Sequence, residues 1–304
     1  MQQIRKNAYA KINAYLEVTA RREDGYHTIL SHMQAVTLYD ALTLVWNEQK
    51  DEPLTLRLTV SDASVPCDES NLVCRAVRAF ALAAQERGLP FGGALDIRLD
   101  KNIPMAAGLA GGSADAAAAL RGANELLGNP FTTQELCEIA VKLGADIPFC
   151  VRSIEHSAMT ARGIGDELTA APSIPSSAWL VIACHGEGVS TPWAYCRLDE
   201  IGLPDEKASE RQYAAYLAAL EQGDLTALAE CAHNCFERVV MPEREAVGAL
   251  MKQMTDMGAV FARMSGSGPS VVGFFEDDRS ALACGCKLRE QGIRAYACQG
   301  LMRE

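Results

Sequence analysis

The 304-residue chain has no run of about 18 apolar residues, so nothing in it is built as a membrane-crossing helix. Basic residues are in deficit: 28 Lys and Arg stand against 39 Asp and Glu, a formal charge of −11. A nucleic-acid backbone needs the opposite balance, which argues against nucleic acid as the main partner. The opening MQQIRKNAYAKIN lacks an apolar signal core, and the expected compartment is the cytoplasm, with no membrane partner. None of the 11 cysteines forms a C-x-x-C pair. They are scattered and odd in number, and are expected to be reduced, small, buried apolar residues. Cys231-Ala-His233-Asn-Cys235 comes nearest to a metal pattern, with its cysteines spaced as one helical turn, but no second ligand pair lies at a suitable spacing. Common nucleotide signatures are missing too. There is no G-x-x-x-x-G-K-S/T, no G-x-G-x-x-G in a dinucleotide context, and no protein-kinase H-R-D or D-F-G. Internal repeats and low-complexity tails are also absent.

What the chain does have is 49% hydrophobic and 22% charged residues, an ordinary globular composition at a length sufficient for two cores. Its most informative stretch is PMAAGLAGGSADAAAA, residues 104–119. Gly108, Gly111 and Gly112 are followed by Ser113 and then at once by a helical pattern. Glycine lets backbone approach an anion, and the first N–H groups of a helix have no intrahelical partner. A phosphorylated ligand is the expectation.

Residues 8–18 alternate apolar and polar, which predicts a half-buried strand with Lys11 and Asn13 on its polar face. Asp24-Gly25 marks a turn, and strand patterns follow at 26–39, 42–46, 54–60 and 94–99. A helix is predicted over 72–87, capped by Ser70 and stopped by Gly88. Another is predicted over 114–127 with Ser113 as its N-cap and Asp115 at the positive end of its dipole. Thr132 and Glu135 have capping-box spacing for the next helix. A softer composition near 152–178 suggests domains at 1–155 and 156–304. Beyond it come a strand at 179–184, helices at 211–221, 225–239 and 244–257, the loop 265–269, a strand at 270–275, and a closing helix (281–291) and strand. Helices and strands mix without regular alternation, which favours two α+β domains.

Phosphoryl transfer needs a polyphosphate cradle, positive charge, and a group that positions the attacking hydroxyl. The glycine loop is the candidate cradle and Lys11 the candidate cation. Asp146, in Leu143-Gly144-Ala145-Asp146-Ile147-Pro148, is the candidate carboxylate. The bland alternatives are a solvated lysine on an open strand face and an aspartate that caps the turn at Ile147.

Three blocks are similar to the galactokinase–homoserine kinase–mevalonate kinase–phosphomevalonate kinase superfamily: Ala10-Lys11-Ile12-Asn13, the loop 104–114, and 264–270. The first block, Arg22-Glu23-Asp24-Gly25-Tyr26-His27 and Leu143–Pro148 resemble more closely its 4-diphosphocytidyl-2-C-methyl-D-erythritol kinase family. That resemblance implies an α+β, two-domain small-molecule kinase fold. Its N-terminal domain would be ribosomal-protein-S5-domain-2-like and its C-terminal domain ferredoxin-like. It also implies ATP as co-substrate with Mg2+, and a cytidine diphosphate-linked polyol phosphorylated on its 2-hydroxyl in the non-mevalonate isoprenoid route. By match to the family's motifs, Asp146 is the base, and Lys11 stabilises the oxyanion and keeps Asp146 ionised. Asn13 positions substrate, Tyr26 and His27 meet the cytosine, and Thr191 and Tyr195 add substrate contacts, with Tyr195 closing opposite Tyr26. ATP falls to Pro104, Met105, Ala106, Ala107, Gly108, Leu109, Ala110, Gly111, Gly112, Ser113 and Ala114, with Asn71 and Lys101 near the adenosine end. Ala110 and Ala114 depart from the family's usual loop, and Ala110 is expected to resist a positive φ. Other kinases of the superfamily, of homoserine or mevalonate type, and a non-catalytic RNA-binding or sensor relative remain alternatives.

Overall fold

The structure is a computed structural model and describes residues 1–49, 51–186 and 188–302. The chain divides into two compact units. The first is Met1–Ala10, Leu38–Met105 and Ala110–Ile154; the second is Lys11–Thr37, Ala106–Leu109 and Glu155–Glu304. Two early segments, 11–37 and 106–109, thus group with the later part of the chain.

Two long strands, β1 (Gln2–Arg21) and β2 (His27–Glu48), pair with each other. They are joined at the predicted turn, where Arg22 N–H donates to Tyr26 O at 2.8 Å. β2 is unbroken where the sequence suggested two runs. β1 is not half-buried as expected: from Ala10 to Val18 both faces are covered, and Lys11, Asn13 and Glu17 are 5%, 4% and 4% exposed. Alternation told the polar face from the apolar one; it did not tell that the polar face is also roofed.

In the first unit, β3 (Leu54–Val60) runs parallel to β4 (Gly93–Asp100), which pairs antiparallel with β2 from Ala41 to Glu48. Between β3 and β4 lies α1 (Leu72–Glu86), capped by Asn71 rather than Ser70, whose hydroxyl bonds to Asp68 instead. α2 (Gly111–Leu126) is buried on nearly all sides, with Ala114, Ala116–Ala119 and Ala123 allowing its neighbours to pack closely. α3 (Thr133–Ala140) carries the predicted capping box. The short α4 (Ile147–Arg152) follows, in a stretch for which the sequence offered only apolarity.

In the second unit, β5 (Ala158–Arg162) pairs antiparallel with β2 at Ser31–Gln34 and with β6 (Glu167–Ala170). Then come β7 (Trp179–Cys184), α5 (Thr191–Ile201), α6 (Glu206–Gln222), α7 (Leu225–Cys231), α8 (Glu237–Glu243), α9 (Glu245–Asp256), β8 (Phe261–Met264), β9 (Val271–Phe275), α10 (Asp278–Glu290) and β10 (Arg294–Cys298). β7 to β10 form an antiparallel sheet of order β10-β7-β9-β8. Strand, helices, two strands, helix, strand in that order is the ferredoxin-like arrangement. The helix expected over 225–239 is two helices, because Ala232 turns extended at φ −62, ψ 132. The segment after it pairs with β1: Leu16 N–H donates to His233 O and Cys235 N–H to Leu16 O, at 2.8 and 2.9 Å. Cys231 and Cys235 are therefore not one helical turn apart. No group of three or more metal-capable side chains exists among the described residues.

Candidate active site

The sequence made Ser113 the N-cap of α2 and expected Ala110 to avoid positive φ. Both expectations are corrected. α2 begins at Gly111, and Ala110 is its N-cap in the left-handed region at φ 52, ψ 33, with no side-chain cap. Helix geometry leaves the N–H groups of Gly111, Gly112 and Ser113 without intrahelical partners, since the first helical bond is Ala114 N–H to Ala110 O. That is an anion site in kind. Asp115, expected at the positive end of the helix dipole, is buried and bonds Lys101 Nζ through Oδ2 at 2.7 Å. The Lys101 side chain is buried too, and its other acceptor is Asp40. Asn71 caps α1: its Oδ1 accepts from Val73 N–H and its Nδ2 donates to Pro66 O.

Asp146, also in the first unit, begins α4 and is half-buried. It is the N-cap residue of that helix, with no side-chain cap hydrogen bond. The far end of α4 is anchored by Arg121 of α2, whose guanidinium donates to Cys150 O at 2.6 Å and to Asn7 O at 3.0 Å. Burial pushes the Arg121 pKa down to about 10.

The second unit holds Lys11 and Asn13. Lys11 N–H donates to Leu109 O at 3.1 Å, joining β1 to the glycine loop. Lys11 Nζ donates to Asn13 Oδ1 at 2.6 Å. Asn13 Nδ2 donates to Ser31 Oγ at 2.8 Å, and Ser31 Oγ donates to Tyr15 O at 2.7 Å. Donor counting fixes the amide. The single proton of Ser31 is committed to a carbonyl, so toward Asn13 it can only accept, and Asn13 must turn its oxygen to Lys11.

Ser265 ties the later glycine loop to both earlier blocks. It accepts from Asn13 N–H at 3.1 Å and donates to Gly108 O at 3.2 Å. The backbones touch: a Cβ on Gly108 would lie 2.3 Å from Ser265 O. Asn234 secures this loop from behind, donating to Met264 O at 2.7 Å and Gly266 O at 2.9 Å. Thr191, the first residue of α5, shares a 2.9 Å hydrogen bond with Ser267.

His27 and Tyr195 are brought together, their rings stacked with centroids 4.6 Å apart and planes at 21°. The expectation set Tyr195 opposite Tyr26; the ring it stacks on is His27, while Tyr26 is 62% exposed. Asp199, one turn beyond Tyr195 on α5, accepts from His27 Nε2 at 2.8 Å, and Arg21 lies 3.3 Å from its other oxygen. Ser31, Asn234, Asp40 and Asp199 were all missed in the sequence. Only Asn234 had a local pointer, lying inside the Cys231–Cys235 stretch singled out for its cysteines.

This fold, with a glycine loop feeding α2 and a second one docked on it, is that of an ATP-dependent small-molecule kinase of the GHMP type. The GHMP kinases N terminal domain model matches residues 71–153, and the GHMP kinases C terminal model matches 216–294. A 4-diphosphocytidyl-2-C-methyl-D-erythritol kinase of Synechococcus sp. (strain JA-3-3Ab) is 40% identical over 91% of this chain and 86% of its own length. One from Alkaliphilus metalliredigens is 37% identical over 91% of this chain and 89% of its own. The crystal structure of a 4-(cytidine 5'-diphospho)-2C-methyl-D-erythritol kinase superposes with a TM-score of 0.78 at 29% identity, covering 98% of this chain and all of that one. The chain belongs to the 4-diphosphocytidyl-2-C-methyl-D-erythritol kinase family.

Proposed function

We propose that the protein transfers the γ-phosphate of ATP to the 2-hydroxyl of 4-diphosphocytidyl-2-C-methyl-D-erythritol, in the non-mevalonate route to isoprenoid precursors. Beside family membership, the observation that carries this reading is Lys11: a cation 5% exposed, aimed by an amide and joined by its own backbone to the glycine loop. Such a cation serves developing negative charge better than solubility.

In this reading Asp146 receives the hydroxyl proton or orients the hydroxyl. Lys11 steadies the developing oxyanion. Asn13 holds Lys11 and the acceptor alcohol. Tyr26, His27 and Tyr195 take the cytosine, stacking being the way an aromatic slot binds a base. Thr191 reaches the diphosphate or polyol. The loop from Pro104 to Ala114 takes the triphosphate, and Asn71 and Lys101 shape the adenosine end from the positions they hold in capping and ion pairing. ATP handling then falls mainly to 1–155, and Thr191 and Tyr195 bring substrate binding from 156–304. Mg2+ arrives with ATP. The described residues hold no cluster of three or more His, Cys, Asp or Glu, so no all-protein seat is assigned to it and no step is routed through it. A small-molecule rather than nucleic-acid partner accords with the formal charge of −11.

A coupled ADP-release assay on the cytidyl substrate beside homoserine and mevalonate tests the reading. Turnover is expected with the cytidyl substrate, and Lys11→Met and Asp146→Asn are each expected to lower kcat by about a hundredfold or more. Turnover on homoserine or mevalonate instead would overturn the substrate; an Asp146→Asn variant near wild-type rate would overturn the base.

A further inference from the structure

Under the start of α2 lies a buried ionic cluster that phosphate binding by itself does not explain. Lys101 Nζ donates to Asp40 Oδ2 at 2.5 Å and to Asp115 Oδ2 at 2.7 Å. Its side chain is 6% exposed, and those of Asp40 and Asp115 are 0% and 5% exposed. Asp40 does more than pair. Its Oδ1 accepts from the backbone N–H of Asn102 and from that of Ile103, the latter at 2.8 Å. Those residues lead directly into Pro104, where the glycine loop begins. Asp115 stands in α2, into which the loop ends. A Cβ on Gly111 would lie 3.0 Å from Ile103 and 3.5 Å from Lys101 Nζ, so the two ends of the loop also pack on each other.

The members of the cluster are not equivalent. Asp40 is supplied with donors on both oxygens. Asp115 has Oδ1 buried without a hydrogen bond, and burial pushes its carboxyl up to about 7, with Lys101 pulling down and Asp40 pushing up. Burial opposes the charge of Lys101, but the two carboxylates raise its pKa all the same. A cluster of this kind adds little net stability over a well-packed apolar one, because desolvation offsets much of the attraction. What it supplies is fixed geometry.

We propose that Asp40 is a positioning residue for nucleotide binding: it fixes the entry of the glycine loop through two backbone N–H groups and, through Lys101 and Asp115, the first turn of α2. The N–H groups of Gly111, Gly112 and Ser113 are thereby set before the nucleotide arrives, and binding is spared the entropy of ordering them. Asp40 itself touches no nucleotide. The inference rests on the reading of the loop as the ATP site.

Isothermal titration of the full chain with the ATP analogue AMP-PNP, beside KM for the alcohol substrate, separates the possibilities. Asp40→Asn keeps an oxygen for both backbone donors and removes the charge that holds Lys101. Its Kd for AMP-PNP is expected to rise about tenfold, the scale of one charge-assisted tether, with KM for the alcohol unchanged. Asp115→Asn loosens the other end and is expected to give the same nucleotide-selective loss, smaller in size. It decides the matter should Asp40→Asn fail to fold. Nucleotide affinity unchanged in the folded variants overturns the inference while leaving the ATP site intact. Equal weakening of nucleotide and alcohol overturns it in favour of a general packing role. A wild-type chain that does not bind AMP-PNP removes the ATP-site reading and the inference together.

Discussion

Gly108→Ala tests whether the two glycine loops are docked backbone on backbone. Gly108 has φ +75, a conformation that costs an L side chain roughly 1–2 kcal/mol. Gly292, just past α10, has φ +78 and nothing within 4 Å of an added Cβ. Gly292→Ala therefore carries the backbone strain alone. At Gly108 the new methyl would also lie 2.3 Å from Ser265 O, 3.2 Å from Ser265 C and 3.5 Å from Gly268 O. All three atoms are backbone, and the shortest approach is about 1 Å inside van der Waals contact. No rotamer relieves it, so the loops must part. Parting them breaks Ser265 Oγ–H to Gly108 O and disturbs Asn13 N–H to Ser265 Oγ, at about 1 kcal/mol each. The expected loss is about 3–4 kcal/mol at Gly108 against about 1–2 at Gly292. Thermal melts of the two variants should differ accordingly, with about 2–4 °C lost per kcal/mol. Gly108→Ala should also lower kcat, because Ser265 borders Asn13. Equal melting shifts for the two variants would refute the docking argument and leave only the strain.

Ser31→Ala removes the acceptor that sets the Asn13 amide and strands a buried NH2 group, at a cost of about 1–3 kcal/mol. We expect kcat to fall about tenfold with KM for ATP unchanged, and a wild-type kcat would show that Lys11 does not depend on the relay. His32 is fully buried and neutral, donating from Nε2 to Pro172 O at 2.8 Å and accepting at Nδ1 from Tyr216. Burial pushes its pKa down from 6.5 to about 4, against the opposing pull of the Pro172 carbonyl. Below 6.5 the unfolded chain takes up the proton first, so stability should fall as pH drops toward 4, by about 1.4 kcal/mol per unit and about 3 in all. Urea midpoints between pH 7 and 4.5 should show this slope reduced in His32→Gln; identical slopes would refute it.

Local signals were legible in the sequence. The capping box of Thr132 and Glu135, the turn at Asp24-Gly25 and the strands β3 and β7 each depend on neighbours within a few residues, and each was found. The glycine run and its helix were legible for the same reason. Ala110 was misjudged because residue preference is a weak guide where flanking structure dictates φ. The partners that fix the site lie far off in sequence. Ser31 serves Asn13 across 18 residues, Asp40 serves Lys101 across 61, and Asp199 serves His27 across 172. Serine and aspartate are common surface residues, so nothing local sets these three apart.

Burial of cations sharpens the division of roles. The side chains of Lys11 and Lys101 are buried and Arg121 is half-buried, and the partners named for them differ in kind. Lys101 sits between two carboxylates, whose charge answers its own. Arg121 donates to backbone carbonyls and so ties α2 to α4, the helix that Asp146 begins. Among the partners of Lys11 is the amide oxygen of Asn13, which accepts from Nζ at 2.6 Å and so helps to aim the cation. A carboxylate in place of Asn13 would hold the lysine as well but would quench its field where an oxyanion forms. On the proposed function, substrate chemistry falls to Lys11, and Lys101, though next to the glycine loop in sequence, falls to its scaffold.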